Sequence, residues 1–123
     1  MESIIIYGAG NTGKKAYNYL KDYYNCLFFV DSDKDKWGGV IDGLEIKSPE
    51  VLNEVKNEKV IIASIFWKEI LMKLKKIDWL KIAVYIQPSL NETVPFSIQE
   101  ELNQRTINLG LFLRQQKNYY AKN

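Results

Sequence analysis

Apolar residues along this chain fall into two kinds of pattern. Ile4-Ile5-Ile6, Cys26-Leu27-Phe28-Phe29-Val30, Val60-Ile61-Ile62-Ala63 and Ile82-Ala83-Val84-Tyr85-Ile86 are short continuous runs. Continuous runs of this length suit strands covered on both faces, as in a parallel sheet. Between them, apolar positions recur at helical spacing. Ala16, Tyr19, Leu20 and Tyr23 predict a first helix over Thr12–Tyr23; Ile70, Leu71, Leu74 and Ile77 predict another from Phe66 or Trp67 to Lys76. Ser48-Pro49-Glu50 supplies a capping hydroxyl, a proline at the first helical position and an acid in the first turn, so a short helix is expected over Pro49–Val55.

The stretch from Lys34 to Gly43 is polar and glycine-rich, with Trp37 at its centre. It reads as a loop over the mouth of a site, returning through a short extended segment, Leu44–Ile46. The C-terminal part differs in texture. Ser97-Ile98-Gln99-Glu100 has the form of a capping box, which predicts a long helix over about Ile98–Tyr119. Its stripe of Ile98, Leu102, Leu109, Phe112, Leu113 and Tyr120 has two open readings: packing on this domain, or association with another copy or a further domain.

Strand–helix alternation predicts an α/β fold. The expected core is a short parallel sheet of about four or five strands with helices on both faces, plus a long C-terminal amphipathic helix. The division expected is 1–90 for the sheet domain and 91–123 for a helical extension. The second strand should lie on one side of the first and the Val60 strand on the other. That order opens a crevice at the C-terminal ends of the strands. Gly8–Gly13, Asp31–Asp33, Ser64–Trp67 and Gln87–Ser89 should line it.

The chemistry is concentrated at the first strand's end, in Tyr7-Gly8-Ala9-Gly10-Asn11-Thr12-Gly13. Gly8 permits a tight turn. Gly10 lets a phosphate approach the backbone, and Gly13 lets the helix pack closely on the sheet. The helix start offers N–H groups and a positive dipole end to an anion. Asp31 stands eighteen residues past Gly13, at the tip of the next strand, where a carboxylate can bind ribose hydroxyls.

Composition narrows the function. The net charge of +2, with no Lys/Arg block, does not suggest a nucleic-acid partner. No run reaches the roughly 18 apolar residues of a membrane span. The chain has no histidine and one cysteine, Cys26, which removes the commonest general base and excludes a structural zinc site. A single thiol fits a cytoplasmic setting. Tyr17 and Lys21 have the Tyr-x-x-x-Lys spacing of a proton-donor pair, but they lie on the first helix, away from where such chemistry is needed. Trp37 is read first as packing, with base stacking as the alternative.

The glycine turn, together with Phe29-Val30-Asp31-Ser32-Asp33, Trp37-Gly38-Gly39-Val40-Ile41-Asp42-Gly43-Leu44-Glu45-Ile46 and Val60-Ile61-Ile62-Ala63-Ser64, resembles the small Rossmann-like domains of bacterial surface-polysaccharide enzymes. It is similar to the N-terminal domain of UDP-sugar O-acetyltransferases and to the cytoplasmic domain of sugar dehydratases and sugar-phosphate transferases. Similar modules are attached to glycosyltransferases, FkbM-type methyltransferases and LicD-type phosphotransferases. The resemblance spans about residues 3–88. It implies that Gly8, Gly10, Asn11, Thr12 and Gly13 face a phosphate, that Asp31 and Ser32 meet a ribose or sugar hydroxyl, and that Ser64 and Ile65 lie near the base or ribose. The implied ligand is a UDP-sugar or other nucleotide-sugar, with NAD second. The implied function is nucleotide-sugar binding in surface-glycan biosynthesis, within a larger enzyme or assembly and without catalysis by this chain alone. An NAD-dependent oxidoreductase or epimerase-like domain and a structural domain with no ligand are the alternatives. Residues 97–120 are the candidate for self-association or attachment to a larger enzyme.

Overall fold

A computed structural model describes residues 2–86 and 97–100. In chain order it contains β1 (Ser3–Tyr7), α1 (Asn11–Leu20), β2 (Asn25–Val30), β3 (Val40–Ile41), β4 (Leu44–Lys47), β5 (Lys59–Ile62), α2 (Trp67–Leu74), β6 (Lys81–Ile86) and β7 (Ser97–Glu100). Two short 3₁₀ segments, Lys34–Lys36 and Pro49–Glu54, sit in the connections. The strands form one sheet in the order β3-β4-β2-β1-β5-β6-β7. β4, β2, β1, β5 and β6 run parallel to one another, and β3 and β7 add antiparallel edges. This is the α/β, Rossmann-like architecture expected, with β2 and β5 flanking β1.

The strand side chains alternate between two cores. Ile4 and Ile6 of β1 pack with Ala16 and Leu20 of α1, and Phe29, Ile61 and Ala83 join them. Ile5 and Tyr7 face the other way, onto Ile70, Leu71 and Leu74 of α2 and Leu52 of the Pro49–Glu54 segment, with Val60, Ile62, Ile82 and Val84. Each continuous apolar run is therefore divided between two layers, which explains why β1 needs isoleucine at three successive positions. Burial also pushes the half-buried Cys26 thiol up to about 11, so it remains protonated at neutral pH.

Several local expectations change. The Pro49–Val55 helix is a 3₁₀ segment, although Ser48 caps it as expected, accepting from the Glu50 N–H at 3.3 Å. It is short and holds one buried anchor, Leu52, so it gains too little from packing to complete α-helical turns. The return segment is half of a hairpin: Val40–Ile41 pairs with Leu44–Glu45 across Asp42 (φ 48°) and Gly43 (φ 81°). Positive φ at both turn residues is the geometry that Asp-Gly favours.

The capping-box reading of Ser97–Glu100 is overturned. These residues form β7, antiparallel to β6, with Val84 opposite Gln99 and Ile86 opposite Ser97. The outer edge of β6 offers unpaired backbone groups, and satisfying them outweighs a local cap. The rest of the expected C-terminal helix lies outside the described residues, as do Gln87–Ser89 of the expected crevice.

Of the described glycines, Gly13 has the closest backbone neighbour. A Cβ there would lie 1.7 Å from the Gly8 carbonyl oxygen. That neighbour is backbone and cannot swing aside. Gly13→Ala should therefore destabilise the protein by about 1–3 kcal/mol or more, read from the urea midpoint. An unchanged midpoint would mean that the α1–β1 packing is looser than this geometry.

Candidate functional site

The site is built at the C-terminal ends of β1, β2 and β5. β1 is locked to both neighbours where it ends: the Gly8 N–H donates to the Val30 carbonyl (2.8 Å) and the Ala63 N–H donates to the Tyr7 carbonyl (2.8 Å). Gly8 then turns at φ 127°, and a Cβ on it would fall 2.2 Å from the Ala63 carbonyl oxygen. Both the backbone angle and the space require glycine. Gly10, the N-cap of α1, is different. The nearest atom to a Cβ there is the Lys36 ammonium at 3.7 Å, so its missing side chain leaves open cleft.

No side chain caps α1 and no acid occupies its first turn. The first-turn N–H groups and the positive end of the helix dipole are thus presented at the cleft with no capping side chain bonded to them. The cleft has a volume of about 580 Å³. Gly8, Gly10, Asn11 and Thr12 form its α1 side. Asp31 and Ser32 line it from the β2 end, and Ser64 and Ile65 from the β5 end. Gly13 is the one expected site residue that does not line it; its place is under the turn, against Gly8.

Asp31 does more than the sequence suggested. One carboxylate oxygen accepts from the Ala9 N–H (2.8 Å) and the other from the Asp33 N–H (2.8 Å). Its own carbonyl accepts from the Trp37 indole N–H (2.7 Å). The side chain thereby ties the glycine turn to the loop after β2, and Trp37 pins that loop from outside. The Gly38 N–H to the Ile46 carbonyl and the Ile46 N–H to the Gly39 carbonyl, both 2.8 Å, fasten the loop's far end to β4. Trp37 is thus held by hydrogen bonding and does not line the cleft. A carboxylate has lone-pair sites beyond the two used here, so Asp31 retains capacity for ligand hydroxyls.

Lys36 is the site residue that sequence reasoning missed. It lies on the Lys34–Lys36 turn, whose start is capped by Asp33 accepting from the Asp35 N–H (3.0 Å). This turn brings the Lys36 ammonium to the cleft wall opposite Gly10, 3.9 Å from Asp31 Oδ2. The capping pattern Asp33-x-Asp35 and the fastened Trp37 were the available signals, but the loop's direction depends on both tertiary ties.

Tyr7 closes the floor near α2. Its hydroxyl bonds Ser32 Oγ at 2.6 Å. Burial raises its pKa, the Ser32 bond works against that, and the Asp31 charge adds to the rise. It therefore stays protonated at neutral pH. Tyr17 packs its ring on Phe29 (centroids 5.7 Å apart), with the Lys21 ammonium 5.7 Å from the Tyr17 ring centroid, so this pair belongs to the α1 face and not to the cleft. Among the described residues, no group of three or more His, Cys, Asp and Glu is placed to hold a metal ion. None of the described helices is long and apolar enough to cross a membrane.

Asp31→Ala should destabilise the ligand-free protein by about 1–3 kcal/mol, because two N–H groups lose a charged acceptor. Urea unfolding without any nucleotide measures this directly. A wild-type midpoint would show that the carboxylate does not hold the turn.

The fold has known counterparts. The crystal structure of UDP-D-quinovosamine 4-dehydrogenase from Vibrio fischeri superposes with a TM-score of 0.56 at 24% identity, covering 73% of this chain and 80% of the other. RSP, a Rex-family repressor, superposes with a TM-score of 0.57 at 19% identity, covering 99% of this chain and 62% of the repressor. The repressor's complex with β-NADH gives 0.55 at 19%, with coverage of 99% and 63%. The chain thus spans less than two thirds of the repressor's length. At these identities the likeness is one of fold. No curated protein gives a significant match. A family model does match, over residues 1–84 and so across the glycine turn, Asp31, Lys36 and Ser64: the chain belongs to the C2185-like, N-terminal family.

Proposed function

We propose that this chain is a nucleotide-binding module whose ligand is a nucleotide-sugar, and that it serves surface-glycan biosynthesis as part of a larger enzyme or assembly. The observation that carries the binding proposal is the meeting of three groups on one cleft: the uncapped α1 start at Gly10–Thr12, the Lys36 ammonium, and the Asp31 carboxylate. The first two suit a diphosphate, through helix N–H groups and a cation. Asp31 suits a ribose with free hydroxyls and disfavours an added 2′-phosphate by charge repulsion. Ile65 and Phe66, 80% and 60% exposed, form an apolar rim at the β5 end suited to a base or ribose face.

The assignment to glycan chemistry rests on the motif resemblance and is supported by the fold shared with a UDP-sugar dehydrogenase. In this reading residues 1–90 together with β7 form the nucleotide-binding domain, and the remainder of 91–123 mediates association. Catalysis then belongs to partner domains; Tyr7, on the floor beside the cleft, is buried and stays protonated at neutral pH. NAD is the second reading, favoured by the likeness to a repressor crystallised with β-NADH.

Thermal unfolding with UDP-sugars, CDP-linked compounds, NAD, NADP and S-adenosylmethionine separates these readings. A ligand at 100 times its Kd adds about 2.7 kcal/mol to stability. Stabilisation by nucleotide-sugars is expected; stabilisation by NAD alone would favour the second reading. Gly10→Val should abolish the shift, since its side chain projects into the cleft, while lowering ligand-free stability by only about 1 kcal/mol through the poorer N-cap. A full shift in that variant would place the ligand elsewhere. Lys36→Gln should weaken diphosphate binding about tenfold, as loss of a charge-assisted contact, with little effect on a nucleoside that lacks phosphate. Equal weakening of both would remove Lys36 from the phosphate site.

A further inference from the structure

A second hollow, of about 210 Å³, opens beside the cleft on the α2 side of the sheet. It shares Gly8, Asp31, Ser32, Ser64 and Phe66 with the cleft, so the two spaces are continuous across the end of β1. Its own lining adds Tyr7 from β1 and Glu69 and Lys73 from α2. Glu69 and Lys73 are one helical turn apart and project from the same face. Both are exposed, and neither forms an ion pair among the described residues.

We propose that this hollow is a subsite for the hexose of a nucleoside-diphosphate sugar. The inference rests on the nucleotide-binding reading above and adds the location of the ligand's second half. A diphosphate seated at the α1 start has two ends. One end carries the nucleoside, whose ribose meets Asp31; the other leads over Gly8 into the hollow. There the hollow offers the mixed chemistry that sugar hydroxyls require, since each hydroxyl both donates and accepts. Glu69 accepts, Lys73 donates, and the Tyr7–Ser32 hydroxyl pair can do either. Ser64 Oγ already accepts from the Phe66 N–H at 3.0 Å and retains its own O–H to donate. The exposed Phe66 ring supplies an apolar face for the ring C–H groups.

A third phosphate would meet two carboxylates, Asp31 and Glu69, against the one ammonium of Lys73, so the hollow's charge favours a neutral sugar over a further phosphate. The lining joins the apolar Phe66 and Ile70 to the polar Tyr7, Ser32, Ser64, Glu69 and Lys73, the mixture that the C–H faces and hydroxyls of a hexose match.

Isothermal titration of the full chain with UDP, CDP, GDP and dTDP, each against its glucose-linked form, tests the subsite. For the base that binds, the glucose-linked form should bind about tenfold more tightly than the diphosphate. Glu69→Gln should remove that increment and leave diphosphate affinity unchanged; Lys73→Gln should do the same. Both positions are exposed on α2, so both variants should fold, which far-UV circular dichroism checks. In amide NMR spectra, the glucose-linked form should shift Glu69 and Lys73 signals that the diphosphate leaves in place. Equal affinities for the two forms, or equal weakening of both by Glu69→Gln, would overturn the subsite while the nucleotide reading stands. No binding of any diphosphate would overturn both.

Discussion

The architecture depends on a stack of three backbones that no side chain separates. The Gly13 Cα lies against the Gly8 carbonyl, and the Gly8 Cα lies against the Ala63 carbonyl. This stack sets how closely α1 approaches the sheet and where β5 ends relative to β1. Because it consists of backbone atoms, it has little freedom to relax; an added methyl at either glycine must move a whole element. The α1 N-terminus is thereby fixed directly above the ends of β1 and β5, and the cleft inherits its position from that contact.

Around this stack, the polar groups of the site also serve the fold. Asp31 joins the glycine turn to the loop after β2 through two backbone N–H groups, and Trp37 fastens the loop that carries Lys36. The cation facing Gly10 is therefore carried on an anchored loop. Its loop is anchored at Asp31 and at the Gly38–Ile46 and Gly39–Ile46 hydrogen bonds. Such preorganisation lowers the ordering cost that a ligand would otherwise meet. The price is that Asp31 is a stability residue as well as a proposed ligand contact, so its loss must be read in the ligand-free protein first.

Much of the site was legible in the chain because the motifs act over short distances. Gly8 and Gly13 do the turning and close-packing jobs that their spacing implied, Gly10 borders open cleft, and eight of the nine expected site residues line that cleft. Gly13 stands apart for the reason the motif itself contains, since close packing and ligand contact are different uses of a missing Cβ. The hairpin at Asp42-Gly43 was also written locally, in a turn dipeptide between Val40-Ile41 and Leu44. It was overlooked because two-residue strands carry almost no periodic signal.

Where local and long-range forces disagreed, local signals failed. Ser97–Glu100 satisfies a helix-capping pattern, yet the open edge of β6 takes it as a strand, because unpaired backbone groups on an edge outweigh one cap. Pro49–Glu54 has good capping and too little buried surface, so its turns stay 3₁₀. The sequence alone thus determined the parallel α/β core, the strand order around β1 and the position of the glycine turn, since hydrophobic runs and glycine spacing act through neighbours in the chain. Only the tertiary structure decided that the Asp31 carboxylate holds the Ala9 and Asp33 N–H groups, that Lys36 faces Gly10, and that Tyr7, Glu69 and Lys73 share a hollow. Those arrangements join residues from separate elements, and their distances follow from how the sheet is packed rather than from any spacing along the chain.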